Sequence, residues 1–265
     1  MMQLIDPHVH MDALTKNSLE LMAISGIVAV IGDGAPSEGL AVSASAATDF
    51  FERTLDYDTR RGSEVFIKVY TLVGLNMFGV PPDYEKVLEV LPEYLNRERV
   101  VGLGEIGLDP KSRRCPDLAK QEEILKAELK MAKEYNKAVL MHLPSVEKTS
   151  WVERYFKLID EADLDHEKTV ITHADSSVIK MITDYGCIAA ITVSPMRRIT
   201  PEDGARMLQD TDLNMMLVNS DSILQHPSDP LSVPKTAFET RKLGFSDEEV
   251  GQIFFDNPKR IFSLD

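Results

Sequence analysis

Ile27-Val28-Ala29-Val30-Ile31, stopped by Gly32-Asp33-Gly34, is an apolar run without alternation. A strand with one wet face would alternate polar and apolar residues. Unbroken Val, Ile and Ala suit a parallel strand covered on both faces. Working outward, the same kind of run recurs along the chain with helical patterns between the repeats. Residues 3–10 form the strand before it, and residues 17–25 a short helix stopped by Gly26. Beyond it, residues 43–55 read as a helix and residues 65–73 as the third strand. Pro81-Pro82 opens a helix to about Leu95, since proline is tolerated in a first turn. Residues 100–104 are the fourth strand, 117–135 a long amphipathic helix, and 138–141 the fifth strand. Strands over 169–172, 187–193 and 214–218 follow, separated by helices over 151–162, 176–185 and 201–209. Helical segments over 234–243 and 246–255 finish the chain. Eight successive βα units predict a single α/β domain over residues 1–265, a closed (β/α)8 TIM-type barrel. An open doubly wound sheet is the rival. Its dinucleotide-binding form is disfavoured because no GxGxxG turn follows an early strand.

The totals fit one large α/β domain or two ordinary ones: 265 residues, of which 43% are hydrophobic. No linker or low-complexity tract divides them. No apolar stretch reaches the about 18 residues of a membrane span, and the start lacks the pattern of a signal peptide. The 2 cysteines, Cys115 and Cys187, have no metal spacing and suit reduced thiols in a cytoplasmic protein. Lys and Arg number 29 against 43 Asp and Glu, a formal charge of −14. That excludes a broad electrostatic surface for nucleic acid or anionic lipid. A local basic pocket remains open, and the oligomeric state is not legible.

In a barrel of this kind, chemistry sits at the C-terminal ends of the strands. His8 and His10 lie at the end of the first strand and, being two residues apart, share a face. Glu105 directly follows the fourth strand, His142 the fifth and His173 the sixth, and Asp221 lies just past the eighth. Each alone has an ordinary reading. His142 or His173 could be satisfied by backbone, Glu105 could be a rim carboxylate paired with Lys or Arg, and Asp221 could be a turn or helix cap. Crowded together, they are costly without a cation. His166 falls at the opposite rim and is given no role. His226 is on the correct rim but several residues farther on, where a solvated loop or a substrate contact is expected.

These donors exceed what one tetrahedral zinc uses. They suit two divalent ions about 3.5–4 Å apart, bridged by a carboxylate. Glu105 is the expected bridge. One ion would take His8, His10, Glu105 and Asp221; the other Glu105, His142 and His173. Zinc is the first expectation, with manganese, nickel, iron or magnesium open, and occupancy by one ion or two also open. Bound metal makes water nucleophilic near neutral pH. Asp221 would accept its proton and pass it to the leaving group. Arg113 and Arg114 after the fourth strand, and Arg197 and Arg198 after the seventh, would stand on the same rim in an otherwise acidic chain. They are either substrate-binding groups for an anion or ordinary solvated loop charge.

Asp6-Pro7-His8-Val9-His10-Met11-Asp12, Gly104-Glu105-Ile106-Gly107-Leu108-Asp109, the histidine strands ending at His142 and His173, Ser220-Asp221 and the closing Asn257-Pro258-Lys259-Arg260-Ile261-Phe262 form a series along nearly the whole chain. In this series the chain resembles the TatD-like metal-dependent hydrolases of the amidohydrolase superfamily. The resemblance implies a distorted (β/α)8 barrel, one or two divalent ions and hydrolysis, in the best-known members of DNA from its 3′ end. The chain departs from the family at substrate-facing positions. Asn219-Ser220-Asp221 stands for Glu-Thr-Asp, Leu143-Pro144 for Ser-Arg, and Ala174-Asp175-Ser176-Ser177 for an aromatic followed by Ser-Gly. Three functions are therefore expected in order: hydrolysis of phosphodiesters such as nucleic-acid ends, hydrolysis of a small amide, ester or lactone, and metal binding without catalysis.

Overall fold

The computed structural model describes residues 2–36, 41–195, 197, 199–224 and 228–265. Its centre is an eight-stranded parallel sheet in which each strand pairs with the next. The strands are β1 (Leu4–Val9), β2 (Ile27–Asp33), β3 (Lys68–Val73), β4 (Val100–Gly107), β5 (Ala138–His142), β6 (Thr169–Thr172), β7 (Ile188–Thr192) and β8 (Met216–Asn219). Helices lie between them: α1 (Lys16–Ile24), α2 (Ala44–Glu52), α3 (Thr59–Ser63), α4 (Glu85–Leu95), α5 (Leu118–Glu134), α6 (Lys148–Glu161), α7 (Ile179–Asp184) and α8 (Pro201–Met207). After β8 come α9 (Ser232–Lys242), α10 (Asp247–Gly251) and α11 (Asn257–Ile261). This is the (β/α)8 barrel that the apolar runs predict.

The seam between β1 and β8 is where the barrel is distorted. There the Asp6 side chain joins the seam, accepting from Ser220 N at 3.2 Å. Past that point the backbone closes the ring: Asp221 N donates to His8 O at 3.0 Å and His10 N to Ser222 O at 3.1 Å. Buried, the Asp6 carboxyl is pushed up to about 6.

Three pairings carry a register shift, β1 with β2, β3 with β4 and β4 with β5, and the first and last bear on the site. Against β2, β1 steps from Asp6 to Val9 while β2 steps from Val30 to Gly32. Against β5, β4 steps from Leu103 to Ile106 while β5 steps from Val139 to Met141. Such bulges redirect side chains and concentrate beside active sites. Here they span His8 and Glu105. Gly104 in the second bulge has no room for a side chain, since a Cβ would lie 2.8 Å from Leu140 Cβ.

The interior of the barrel is filled by Ile5, Ile31, Tyr70, Leu72, Leu140 and Leu217 with small neighbours. Ile261, Phe262 and Leu264 join this cluster and close its lower end. The closing motif is legible here as anchorage. Asn257 Nδ2 donates to Leu213 O at 2.6 Å and Met216 O at 2.9 Å, and Arg260 donates to Asn214 O at 2.6 Å. The larger cluster lies between strands and helices.

Several sequence boundaries shift. The fourth strand runs on through Glu105 to Gly107, so Glu105 lies within the strand and does not follow it. The third strand starts only at Lys68. Val65 and Ile67 are bound to the end of α3 through Gly62 O, and Phe66 takes φ 65°. The helix expected from Pro81 begins at Glu85. The helix expected over 43–55 breaks into α2, a π-helical turn (Arg53–Asp58) and α3. The turn seats Asp58 in full burial, where Asp58 Oδ1 accepts from Arg61 at 2.6 Å.

Candidate metal centre

At the C-terminal ends of the strands the barrel gathers a buried group of acids and imidazoles. His8, His10, Asp33, Glu105, His142, His173 and Asp221 are each 5% exposed or less. One Glu105 carboxylate oxygen, Oε1, lies 2.9 Å from His142 Nδ1 and 2.8 Å from His173 Nε2. Potential metal-ligating atoms of Glu105, His142 and His173 fall within 4.8 Å of one another, and so do those of His8, His10, Asp33 and Glu105. Glu105 is common to both groups. Asp221 Oδ1 lies 3.6 Å from His10 Nε2 and 3.8 Å from His8 Nε2.

The surroundings fix how each ring points. His142 Nε2 donates to Asp109 Oδ2 across 3.1 Å, which leaves Nδ1 facing Glu105. His173 Nδ1 contacts Thr192 Oγ1 at 2.8 Å, leaving Nε2 inward. An outer carboxylate or hydroxyl that settles the ring orientation is the usual support for a metal-binding histidine. Tyr155 Oη donates to His142 O at 2.5 Å and accepts from Leu108 N at 2.9 Å, tying the ends of β5 and β4 together. Gln121 Nε2 donates to the carbonyls of Asp109 and Cys115, and Gln121 Oε1 accepts from Asp109 N. Two members of the group sit in the left-handed backbone region, His173 at φ 61° and Asp221 at φ 46°. Non-glycine residues are held there only against a strain cost, and such residues cluster at functional sites. Lys148 Nζ holds the first by donating to His173 O at 2.7 Å while pairing with Asp175 at 2.7 Å.

The charges are those of a site designed around a cation. Burial pulls the His10 imidazole down, but the Asp221 hydrogen bond and the Asp33, Asp221 and Glu105 charges carry it up to about 10. Burial opposes charging of His142 too, yet Glu105 and Asp109 raise it to about 9. His173 moves the other way, to about 3, through burial and the Arg197 charge. Burial also works against ionisation of Glu105 and Asp221. Their histidine neighbours outweigh it, holding Glu105 well below the usual range and Asp221 at about 2. Meanwhile neither ring nitrogen of His8, nor Asp33 Oδ2, has a hydrogen-bond partner among the described residues. Buried polar atoms left bare cost on the order of 1–3 kcal/mol each. A divalent cation taking a lone pair from one His8 nitrogen and from Asp33 would remove that cost at those atoms, so the residues present fit the group.

Of the residues singled out from sequence, His8, His10, Glu105, His142, His173 and Asp221 come together. Arg197 reaches them, with a guanidinium nitrogen 3.7 Å from Asp221 Oδ2. Arg113 and Arg114 are exposed on the loop after β4 and make no ion pair among the described residues. Arg198 and His226 lie outside the described residues. Sequence reading missed Asp33, although the rule that found the others also applies to the end of β2. It quoted Asp109 without giving it a role. Asn219 is buried and donates to Thr172 Oγ1 at 3.2 Å, so it belongs to the barrel wall.

The described residues contain no helix long and apolar enough to cross a membrane. Comparison with known proteins agrees with the geometry. An uncharacterized metal-dependent hydrolase of Methanocaldococcus jannaschii is 25% identical over 261 residues, covering 98% of this chain and 100% of the relative. The crystal structure of a TatD-like protein from Archaeoglobus fulgidus superposes with a TM-score of 0.81 at 21% identity, over 98% of this chain and 99% of that one. An Escherichia coli phosphotriesterase homology protein, solved with phosphate in its active site, gives a TM-score of 0.74 at 14% identity, covering 98% and 99%. These superpositions speak for the fold. The family described as TatD related DNase matches residues 5–263. With that match over nearly the whole chain and the ligand cluster at the expected rim, the chain belongs to the TatD related DNase family of metal-dependent hydrolases.

Proposed function

We propose that the protein hydrolyses a phosphodiester, such as a nucleic-acid end, at a two-metal site, with zinc the leading candidate ion. The observation that carries this reading is Glu105 Oε1 shared between His142 and His173, while the Glu105 carboxylate also belongs to the His8–His10 group. Bound divalent ions supply Lewis acidity and a water that ionises near neutral pH. His142 and His173 would hold one ion, His8 and His10 the other, and Glu105 both. Asp221 would serve as the proton acceptor for the water nucleophile and the donor to the leaving group. Arg197 is a half-buried cation beside Asp221, and its Nε has no hydrogen-bond partner among the described residues. A fixed guanidinium in that place suits a phosphoryl oxygen.

A specific observation favours a second reading, a small ester, amide or lactone. Leu143, Pro144 and Ala174, next to the two histidines, are buried and offer no side-chain donor to a nucleotide. The experiment is a panel of 3′-labelled single-stranded DNA, chromogenic phosphodiesters and chromogenic carboxylic esters against metal-loaded protein. Turnover of the first two, lost with chelator, supports phosphodiester hydrolysis. Turnover of the esters alone replaces it with the second reading. A metal-loaded protein inert to the whole panel counts against both and for metal binding without catalysis.

A further inference from the structure

We propose that Asp33 is a direct ligand of the ion held by His8 and His10, and that it makes that pocket prefer harder cations than the His142–His173 pocket. The inference rests on the metal-binding reading above. Asp33 ends β2 and is fully buried. Its two oxygens have separate fates. Oδ1 is tied down by two backbone amides, accepting from Ala35 N at 3.0 Å and from Glu105 N at 3.1 Å. That grip leaves Oδ2 aimed at His10 Nε2, 3.7 Å away, with no hydrogen-bond partner among the described residues.

A purely structural Asp33 would not need a second charged oxygen in a dry pocket. His8 supplies the independent observation: it too is fully buried with both ring nitrogens bare. Asp33 and His8, each with a buried atom lacking a hydrogen-bond partner among the described residues, belong to one group of potential ligands with His10 and Glu105.

The two pockets then differ in composition. The His8–His10 pocket offers two imidazoles with carboxylates from Asp33, Glu105 and Asp221. The other offers two imidazoles and Glu105. More oxygen donors favour a harder ion such as Mn2+, whereas an imidazole-dominated set suits Zn2+. One pocket is therefore expected to take manganese readily and the other to hold zinc.

The test uses the full chain stripped of metal, with Mn2+ and Zn2+ titrated separately by calorimetry and elemental analysis. Asp33→Asn keeps an oxygen for the Ala35 and Glu105 amides and removes the ligand charge. The expected result is a loss of at least tenfold in affinity for one Mn2+ equivalent, with the zinc-binding pocket within twofold of wild type. Co2+ placed in the His8–His10 pocket should also show an altered visible spectrum, which loss of a turn would not by itself produce. If wild type takes up no ion, the metal reading itself fails. If wild type binds ions and Asp33→Asn matches it in Mn2+ affinity and Co2+ spectrum, the assignment of Asp33 is overturned. Should the variant not fold, a crystal of wild type soaked in Mn2+ decides directly. An Asp33 oxygen within about 2.5 Å of the ion supports the proposal, and one beyond about 3.5 Å refutes it.

Discussion

Asp221 has two possible duties, holding an ion and moving a proton, and its geometry separates them. Its Oδ1 lies 3.6 and 3.8 Å from the two β1 histidines, farther than Glu105 lies from His142 and His173. Ionised at neutral pH, it can receive a proton. Asp221→Asn removes that capacity and keeps the shape. Proton transfer by a placed side chain contributes on the order of 100- to 10,000-fold, so kcat should fall at least about 100-fold while metal content stays within twofold. Steady-state kinetics beside elemental analysis checks it, and wild-type turnover in the variant would end the role. Arg197 makes a different prediction. Arg197→Ala removes a cation that contributes only where the substrate is anionic. KM for a phosphodiester should rise about tenfold or more, the equivalent of one lost charge-assisted hydrogen bond. A neutral ester should be handled as before. Equal losses on both substrates would make Arg197 a structural partner of Asp221.

The elements place these residues through a few buried contacts, and α5 supplies an instructive one. Glu128 on α5 is buried and accepts from Leu75 N at 2.6 Å, just past β3. The next residue, Asn76, donates to Glu105 Oε2 at 3.4 Å. Burial pushes the Glu128 carboxyl up to about 8. Its folded pKa thus exceeds that of the unfolded chain, and the folded state keeps the proton longer. Stability is then fully present below about pH 4.5 and declines as pH rises towards 8. With 1.36 kcal/mol per unit, the decline is up to about 5 kcal/mol. Glu128→Gln keeps an acceptor for Leu75 and removes the titration. The variant should melt higher than wild type at pH 8, with the difference closing near pH 5. Parallel melting curves across that range would show that Glu128 does not titrate in the folded protein.

What was legible in the sequence follows from the same contacts. The strands were visible because residues such as those of Ile27–Ile31 are buried on both faces and leave an unbroken apolar run. The rim histidines were visible because strand ends are easily located. The bulges at Pro7-His8 and Gly104-Glu105 were not, because an extra residue in a strand leaves no compositional mark. For the same reason β4 was ended before Glu105. Asp33 was passed over because Gly32-Asp33-Gly34 also reads as an ordinary turn, and its bare oxygen emerges only when β1, β2 and β4 meet.

For the whole molecule, metal and protons compete for one set of groups. Without an ion, His10 at about 10 and His142 at about 9 are protonated at neutral pH, and their charges face the ionised Glu105 and Asp221. Both values lie above the unfolded reference of about 6.5. Their stabilisation of the metal-free protein is therefore complete below about pH 6.5 and lost as pH rises through 9 and 10. An ion bound to these nitrogens displaces the protons. Metal uptake at pH 7 should accordingly release about two protons, measurable from the buffer dependence of the calorimetric heat. The same competition sets the effect of metal removal on stability. A free ion at 1,000 times its Kd adds about 4 kcal/mol, or on the order of 10 °C in melting temperature for a chain of this size. The gap between metal-loaded and chelated protein should widen from pH 6 to pH 9, as the metal-free form loses its imidazolium charges. Glu128 titrates in both forms and cancels from that difference. A gap that is constant across this range would mean that the histidines and the ion do not share a site.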